Sequence, residues 1–539
     1  MKFGILNAKH TDYCECETHK LEILYKGGKE IEEHASLFIP QEAARGESAL
    51  LYHDRLKSVS YRNYLAKIIN DYVSDLFSKP FSVITVSDSA DPSTVGDDIG
   101  KEEPFYKEFA EDVDLQNHTL AYILSNLMKD ALVTGRAYLG VDFPKVDETP
   151  RNIKDEEETN ASRAYVYSVP TLSVIDWNKD NFGKYTFLVL KNVTVPRKTF
   201  EETRDKQVIS FKVWEKQDDN TITWKLFEIT TKIGKEPNKN DDVPLVDEGM
   251  VSFKDIPVLC MEIPSHLWIG NLIGSMTIEH FRRSSSLVFA MQRNLFSIPV
   301  YKQGAEIGAG ERPALSSLGM DENRGNSTSR SMAARGFAVI GPDDEIEFVE
   351  PDGKVYEICN TQLKELVDSM HQVINQMSIT AITGTIGGMD RSGLSKMMDN
   401  HSKELVLYAY ASLIKDFATT LYTVISEGRN ENIIWRAVGF ESFAILDRDQ
   451  LVKEATAAVK IPSATFTKHY LLNMSSALCP DMNAQTSLQV KKEIDEAVDS
   501  MSEEELMGKE PEEAQEESTT DSKPDKTSPP ANVRIKKLD

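Results

Sequence analysis

Residues 267–296, LWIGNLIGSMTIEHFRRSSSLVFAMQRNLF, open the stretch on which the architecture turns. Ile273, Met276, Ile278, Phe281, Leu287, Val288 and Met291 recur at helical spacing, so the segment reads as one long helix with an apolar face. A turn-rich interruption follows from Ile298 to Gly353, with short strands expected at 298–301, 337–340 and 346–350. A second helical segment runs from Val355 to Met377. A Gly/Thr-rich break comes next, ITAITGTIGGMDRSGLS at 379–395, and then a third long helix through Leu405 and Leu421. Helix, insertion, helix, pliable loop and helix form an unusual enzyme core. The order suits a subunit that contributes a wall to a ring with a hole in it. Arg282, Arg283 and Arg293 stand among the apolar residues of the first helix. They fit a solvated face or inter-subunit ion pairs better than a ring of arginines facing a channel.

The chain has 539 residues, enough for two to four modules, and its 40% apolar content allows proper cores. A formal charge of −25 argues against wrapping nucleic acid through clustered Lys and Arg. It does not argue against a surface that DNA passes without sticking. No apolar run approaches the roughly 18 residues a membrane span needs. The opening residues MKFGILNAKHTDYCEC do not read as a signal peptide. Five dispersed cysteines point to a reducing compartment rather than a disulfide framework. On these grounds alone the chain is an acidic, cytosolic α+β protein.

Around that stretch, residues 1–48 read as a polar, irregular segment. An amphipathic helix is expected over 49–78, carried by Leu56, Val59, Leu65, Ile68, Ile69, Tyr72, Val73 and Leu76 and stopped by Pro80. A strand FSVITV follows. A second helix is expected from Pro104 to Val133, ended by Gly135, with a strand from Ala137 to Phe143. Four β-rich runs, 164–177, 184–195, 207–216 and 221–231, mark a β module, and residues 234–249 read as a loop before a strand at 256–263. Beyond the third helix come a strand at 433–440, a helix at 449–459 and a helical pair at 463–478 and 483–500. From Ser502 the chain is acidic, rich in Ser, Thr and Pro and without aromatics, a composition that cannot order itself.

Little in the sequence supports catalysis. There is no Walker A lysine in GTIGGMDRSG, no dinucleotide-binding G-x-G-x-x-G in GAEIGAG, and no G-x-S-x-G or H-E-x-x-H. Acidic pairs such as Asp241–Asp242 and Asp343–Asp344 sit in loops, where turn formation explains them. His10, Cys14, Cys16 and His19 are four possible zinc ligands within ten residues. Their spacing is cramped, because zinc modules pair close ligands with a distant second pair. The loop 379–395 is long for a helix connection, and Gly384, Gly387, Gly388 and Gly393 make it pliable.

The segment IPQEAARGESALLYHDRLKSVSYRNYLAKIINDYVSDLFSKPFSV resembles the start of portal proteins of tailed bacteriophages. Those begin with a proline, an acidic turn like GES, and Y-x-x-R-L before a long helix that ends in Phe-x-Lys-Pro. SVPTLSVIDWN, DIPVLCMEIP, FAVIGPDDEIEFVEPDGK and DRSGLSKMMDNHSKEL resemble later portal segments in the same order, over roughly residues 35–500. The resemblance implies an α+β portal architecture of wing, stem, clip and crown. After an N-terminal segment at 1–48, the wing would be 49–266 and the first stem helix 267–296. The clip would be 297–353, the second stem helix 354–378 and the tunnel loop 379–395. The long wing helix with its return would be 396–460, the crown 461–501 and the tail 502–539.

The resemblance further implies a ring of copies of this chain, usually twelve, at one capsid vertex of a virion assembled in the bacterial host cytoplasm. Double-stranded DNA would pass non-specifically through the channel. A terminase large subunit, head-completion or adaptor proteins, and major capsid and scaffolding proteins would be partners. No catalytic site, cofactor or membrane contact is implied. Thr383, Thr385, Met389, Asp390 and Arg391 would face the channel from the tunnel loop, and Arg282, Arg283, Arg293 and Lys302 would offer sparse basic contacts from stem and clip. Another virion ring, adaptor or scaffold would use the same helices. A metal-dependent nucleic-acid enzyme would rest only on the His/Cys cluster and scattered acids. Removing residues 503–539 is expected to leave the thermal unfolding midpoint unchanged, which differential scanning calorimetry checks.

Overall fold

In the computed structural model, the described residues are 1–85, 104–144, 163–197, 204–251, 253–294, 298–302, 345–349, 353–382, 393–440, 443, 464–478 and 484–499. The expected strand at 337–340, the helix at 449–459 and the tail 502–539 lie outside them. The chain forms two units, Met1–Ile445 and Leu446–Asp539. The mixture of helix and antiparallel sheet makes it an α+β protein.

The first unit begins with four short helices, α1 (Phe3–Leu6), α2 (Glu15–Lys26), α3 (Gly28–Glu33) and α4 (Ala35–Phe38), where the sequence reads as irregular. The single helix expected over 49–78 is two, α5 (Ala49–Lys57) and α6 (Tyr64–Phe77). Each half has its own cap: Ser48 Oγ accepts the Leu51 N–H at 3.2 Å and Asn63 Oδ1 accepts the Ala66 N–H at 2.9 Å. Strand β1 (Phe81–Thr85) follows. The second expected helix also divides, into α7 (Pro104–Glu111) and α8 (Leu120–Thr134). Leu115 and Asn117 adopt positive φ in the gap, and Thr119 caps the restart. Gly135 ends α8 in the left-handed conformation at φ +83°, as that kind of helix stop requires.

Strands β2 (Arg136–Asp142) and β3 (Tyr165–Val169) come next. They are followed by β4 (Val174–Lys179), β5 (Tyr185–Thr194), β6 (Lys206–Lys216), β7 (Ile222–Lys232), β8 (Leu245–Val251) and β9 (Val258–Glu262). The expected run 164–177 therefore splits between two sheets. One sheet has the order β3-β2-β9; the other is the antiparallel meander β4-β5-β6-β7-β8. β8 occupies part of the segment read as a loop, and its mostly exposed LVDEGMV carries too weak an apolar alternation to announce a strand.

The meander is apolar on both faces. One face sends Leu188, Leu190, Trp214 and Ile222 into the main core. The other packs Val189, Ile209, Phe211 and Phe227 against Phe3 and Leu6 of the N-terminal segment, with Phe3 and Phe211 edge to face at 5.7 Å. Residues 1–6 therefore close the second face of a sheet. Backbone bonds from Phe3 N–H to Asp241 O (2.9 Å) and Gly4 N–H to Lys239 O (2.8 Å) hold them there.

Helix α9 (Ile269–Asn294) leads through β10 (Ile298–Lys302) and β11 (Glu345–Val349) to α10 (Gly353–Ile382) and α11 (Gly393–Gly428). Strand β12 (Trp435–Gly439) then pairs antiparallel with β1. Val406, Tyr410, Ile414, Ala418, Leu421 and Ile425 bury one stripe of α11 in the main core. The Tyr410 hydroxyl, itself buried, donates to Leu267 O at 2.6 Å just ahead of α9. Trp268 Nε1–H donates to Val133 O at 3.0 Å, tying the start of α9 to the end of α8.

The second unit contains α12 (Ala464–Leu478) and α13 (Ala484–Asp499), a packed pair close to the expected bounds, with a Lys468–Asp495 ion pair at 3.6 Å. Among the described residues no helix is long and apolar enough to cross a membrane.

At Gly270 a Cβ would lie 2.1 Å from Val133 O, a contact the two helices can relieve only by separating. Gly270→Ala is expected to destabilise the chain by about 1–3 kcal/mol, measured by urea unfolding.

Candidate functional site

Helix α9 has two halves with different surroundings. From Ile269 to Ser285 it is embedded: Ile269, Ile273, Phe281 and Ser285 are essentially fully buried, with Thr277, His280 and Ser284 nearly so. Each buried hydroxyl has a bond, as burial demands. Thr277 Oγ1 donates to Ile273 O (2.9 Å), Ser284 Oγ donates to Ser60 O (2.7 Å), and Ser285 Oγ accepts the Ser60 N–H (3.1 Å). The Phe281 ring meets Phe38 and Tyr61 edge to face at 5.9 and 5.3 Å. His280 packs against Tyr64, and burial, helped by the charge of Arg62, pushes its pKa below the usual imidazole value. From Ser286 to Gln292 the helix carries no buried side chain, and Met291 is exposed.

Helix α10 mirrors this. Its start is open, with Val355 60% and Ile358 57% exposed, and burial begins only at Met370 and Ile374. The two helices run antiparallel: Arg283 Nη1–H donates to Gln362 Oε1 at 3.1 Å, while Leu287, Ala290, Val355 and Cys359 line a shared cleft further out. Their rooted ends lie together and so do their free ends. The stretch from Ser286 to Asn294 alone extends about 13 Å. At the free ends β10 and β11 pair antiparallel, Ile298 opposite Val349 and Lys302 opposite Glu345. The two helices thus form a rooted pair that carries a two-stranded ribbon at its free end.

Below the root lies a clamp. Glu47 and Arg55, each only 9% exposed, form a bidentate pair with both bonds at 2.8 Å. Arg55 also donates to Pro40 O (2.8 Å), Glu47 Oε2 accepts the Glu42 N–H (2.7 Å), and the Tyr52 hydroxyl donates to Ile39 O (2.8 Å). The acidic turn GES and the Y-x-x-R-L that follows it are therefore one structural device. The Arg55 guanidinium holds the Glu47 carboxyl below the usual carboxylate range. The clamp fixes the segment that delivers Phe38, whose carbonyl accepts from Arg282 Nε.

The sequence-predicted residues separate into groups. Arg282 and Arg283 come together on α9, and both are engaged within the chain, Arg282 with Phe38 O and Arg283 with Glu279 and Gln362. Arg293 lies in the last turn of α9 and Lys302 ends β10, so both lie at the free end of the pair. Thr383, Thr385, Met389, Asp390 and Arg391 lie outside the described residues. The loop expected at 379–395 is shortened from both sides, because α10 runs on to Ile382 and α11 starts at Gly393.

The His/Cys quartet is dispersed. His10 stacks on Trp177 at 4.1 Å and its Nδ1 accepts the Asp12 N–H, whereas His19 meets His34 edge on. Cys14 and Cys16 are exposed free thiols at the start of α2. Among the described residues no group of three or more His, Cys, Asp or Glu is placed to hold a metal ion.

No family model and no curated protein matches the chain. Among solved structures it is similar to the neck of an empty gene transfer agent (GTA) particle computed with C6 symmetry, at TM-score 0.38 and 10% identity, covering 74% of this chain and 86% of that one. It is also similar to the virion of a native GTA particle (TM-score 0.35, 10% identity, 79% and 92% covered). A third is the neck of a native GTA particle computed with C12 symmetry (0.34, 10%, 75% and 89%). Likenesses at this level assign neither fold nor role.

Glu47→Gln leaves Arg55 without its counter-charge and is expected to cost about 3 kcal/mol in chemical unfolding. Because the folded-state pKa of Glu47 is lowered, the pair's contribution is full above the unfolded carboxylate value of about 4.3 and is lost as pH falls below it. The stability gap between wild type and Glu47→Gln should therefore narrow as pH falls below about 4.3 in an acid titration followed by circular dichroism.

Proposed function

We propose that this chain is a portal subunit of a phage-like particle. Copies would form a ring, dodecameric by the resemblance, at one capsid vertex, and viral DNA would enter and leave through its hole. The observation that carries this reading is the rooted, antiparallel helix pair with a β-ribbon at its free end, followed directly by the long helix α11. The order of elements and the portal-like sequence segments agree along the same residues. A free-standing pair with exposed apolar side chains leaves unsatisfied surface in a lone subunit, and side-by-side copies would cover it. A formal charge of −25 suits a channel that repels phosphate and lets DNA slide.

In this reading the chain performs no catalysis. A terminase large subunit supplies the force, head-completion or adaptor proteins dock on the ribbon end, and major capsid and scaffolding proteins surround the ring. Arg293 and Lys302 offer basic contacts near the stem–clip junction, and residues 383–391 line the channel.

Negative-stain imaging and mass photometry of the purified chain test the ring: closed rings with a central hole are expected, and a chain that stays monomeric under all assembly conditions overturns the reading. Deleting Thr383–Arg391 is expected to leave ring assembly intact and to reduce DNA packaged per particle. Loss of assembly on that deletion would make the loop structural.

A further inference from the structure

One edge of the meander is open. Among the described residues β8 pairs only with β7, so its outer side meets no strand. Leu245 is 46%, Val246 56% and Met250 72% exposed along it. Unpaired ladder groups with apolar side chains beside them are a template for another strand.

The stretch just upstream shows what this edge accepts. Pro244 O takes the Glu228 N–H of β7 at 3.2 Å, and the adjacent Val243 faces the opposite way. Its N–H donates to Met1 O (2.8 Å), its O accepts from the Met1 amine (3.0 Å), and Lys2 bridges antiparallel to Asp242. An extended segment already lies along the outer side up to Val243, and β8 continues the same line uncovered.

The edge also selects its partner. In LVDEGMV, Asp247 and Glu248 stand between apolar ends. A second β8, laid antiparallel with those ends aligned, would bring acid against acid, which disfavours pairing of like edges. Lys225 on β7 stands opposite Glu248, so a basic residue on the outer side would complete a Lys–Glu–Lys row across three strands. The matching strand is apolar at its ends and basic within.

The sequence holds such a segment, Val533-Arg534-Ile535-Lys536-Lys537-Leu538, which lies outside the described residues. Laid antiparallel with Lys536 opposite Glu248, it sets Lys537 opposite Asp247, Leu538 opposite Val246 and Val533 opposite Val251. Residues 500–532 tether it, with a root-mean-square span of at least roughly 30 Å, since charged linkers extend themselves.

We infer that residues 533–538 of one copy add to β8 of a neighbouring copy as a further strand of the meander. Main-chain bonds supply the affinity, and the acidic pair supplies the selectivity. The inference rests on the ring reading and deepens it by giving neighbours a tethered link.

Two variants test it, each in a chain carrying Cys14→Ser, Cys16→Ser and Cys479→Ser. One adds Val246→Cys and the other Leu538→Cys. Mixed, assembled and oxidised with copper phenanthroline, they are expected to give a covalent dimer on non-reducing gels that neither gives alone. Glu248→Lys in the first variant should lower the dimer yield at least fivefold, and Lys536→Glu in the second should restore it. Rings that form without the mixed dimer, or a yield indifferent to Glu248→Lys, overturn the inference and leave the ring reading standing. A link that forms only within one chain carrying both cysteines also overturns it. A chain that never leaves the monomer overturns both.

Discussion

The structure depends on the burial of half a helix. Residues 269–285 of α9 lie where α2, α4, α6 and α8 converge, and their apolar side chains belong to one continuous core. This half keeps only a narrow wet stripe at Asn271, Ser275, Arg282 and Arg283, so the polar residues off that stripe must find partners inside. Ser284 and Ser285 take the backbone of Ser60, Thr277 turns back on its own helix, and His280 stays against Tyr64 with its pKa depressed. The requirement that buried polar groups be bonded fixes the rotation of α9 about its axis. That rotation fixes where the free half points, and α10 follows because it packs along α9 in both its buried and its exposed parts.

The N-terminal residues do more than precede the fold. Phe3 and Leu6 cover one face of the meander, and Phe38 braces the root of α9. The Glu47–Arg55 pair links these tasks by holding the chain between α4 and α5 against its own turn. A charged pair of this kind contributes little when exposed, and when desolvated its main effect is the large cost of losing one partner. Here each partner makes a further main-chain bond, to Pro40 O and from Glu42 N–H, which completes the satisfaction burial requires.

How much was legible varied with the physics behind each signal. The long periodic segments were plain, because 3.6-residue spacing over many turns has few competing explanations; α9, α10, α11 and the pair α12–α13 stand close to their expected places. Breaks inside periodic runs were hidden. Asn63 and Thr119 are ordinary cap residues, but the apolar spacing continued across both gaps because Val59 and Val113 also pack on the core. Strand β8 was hidden because Asp247, Glu248 and Gly249 break its apolar pattern in the middle, and its pairing with β7 supplies the order instead. The His/Cys quartet looked like a ligand set only in one dimension: His10 is held by Trp177, far along the chain, and His19 by His34.

By itself the sequence determined the class of fold, the run of helix, insertion, helix and helix, and the acidity that disfavours tight phosphate binding. These are properties of composition and short-range periodicity, which need no knowledge of what lies across the core. Only the tertiary structure decided which half of α9 is rooted and which is free, that β10 and β11 close into a ribbon at the free end, and that Arg282 and Arg283 are engaged within the chain. It also decided that β8 is left as an open edge of the meander. These are questions of which distant surfaces meet, and a one-dimensional pattern carries the same signal whether a helix face meets its own chain, another copy or water.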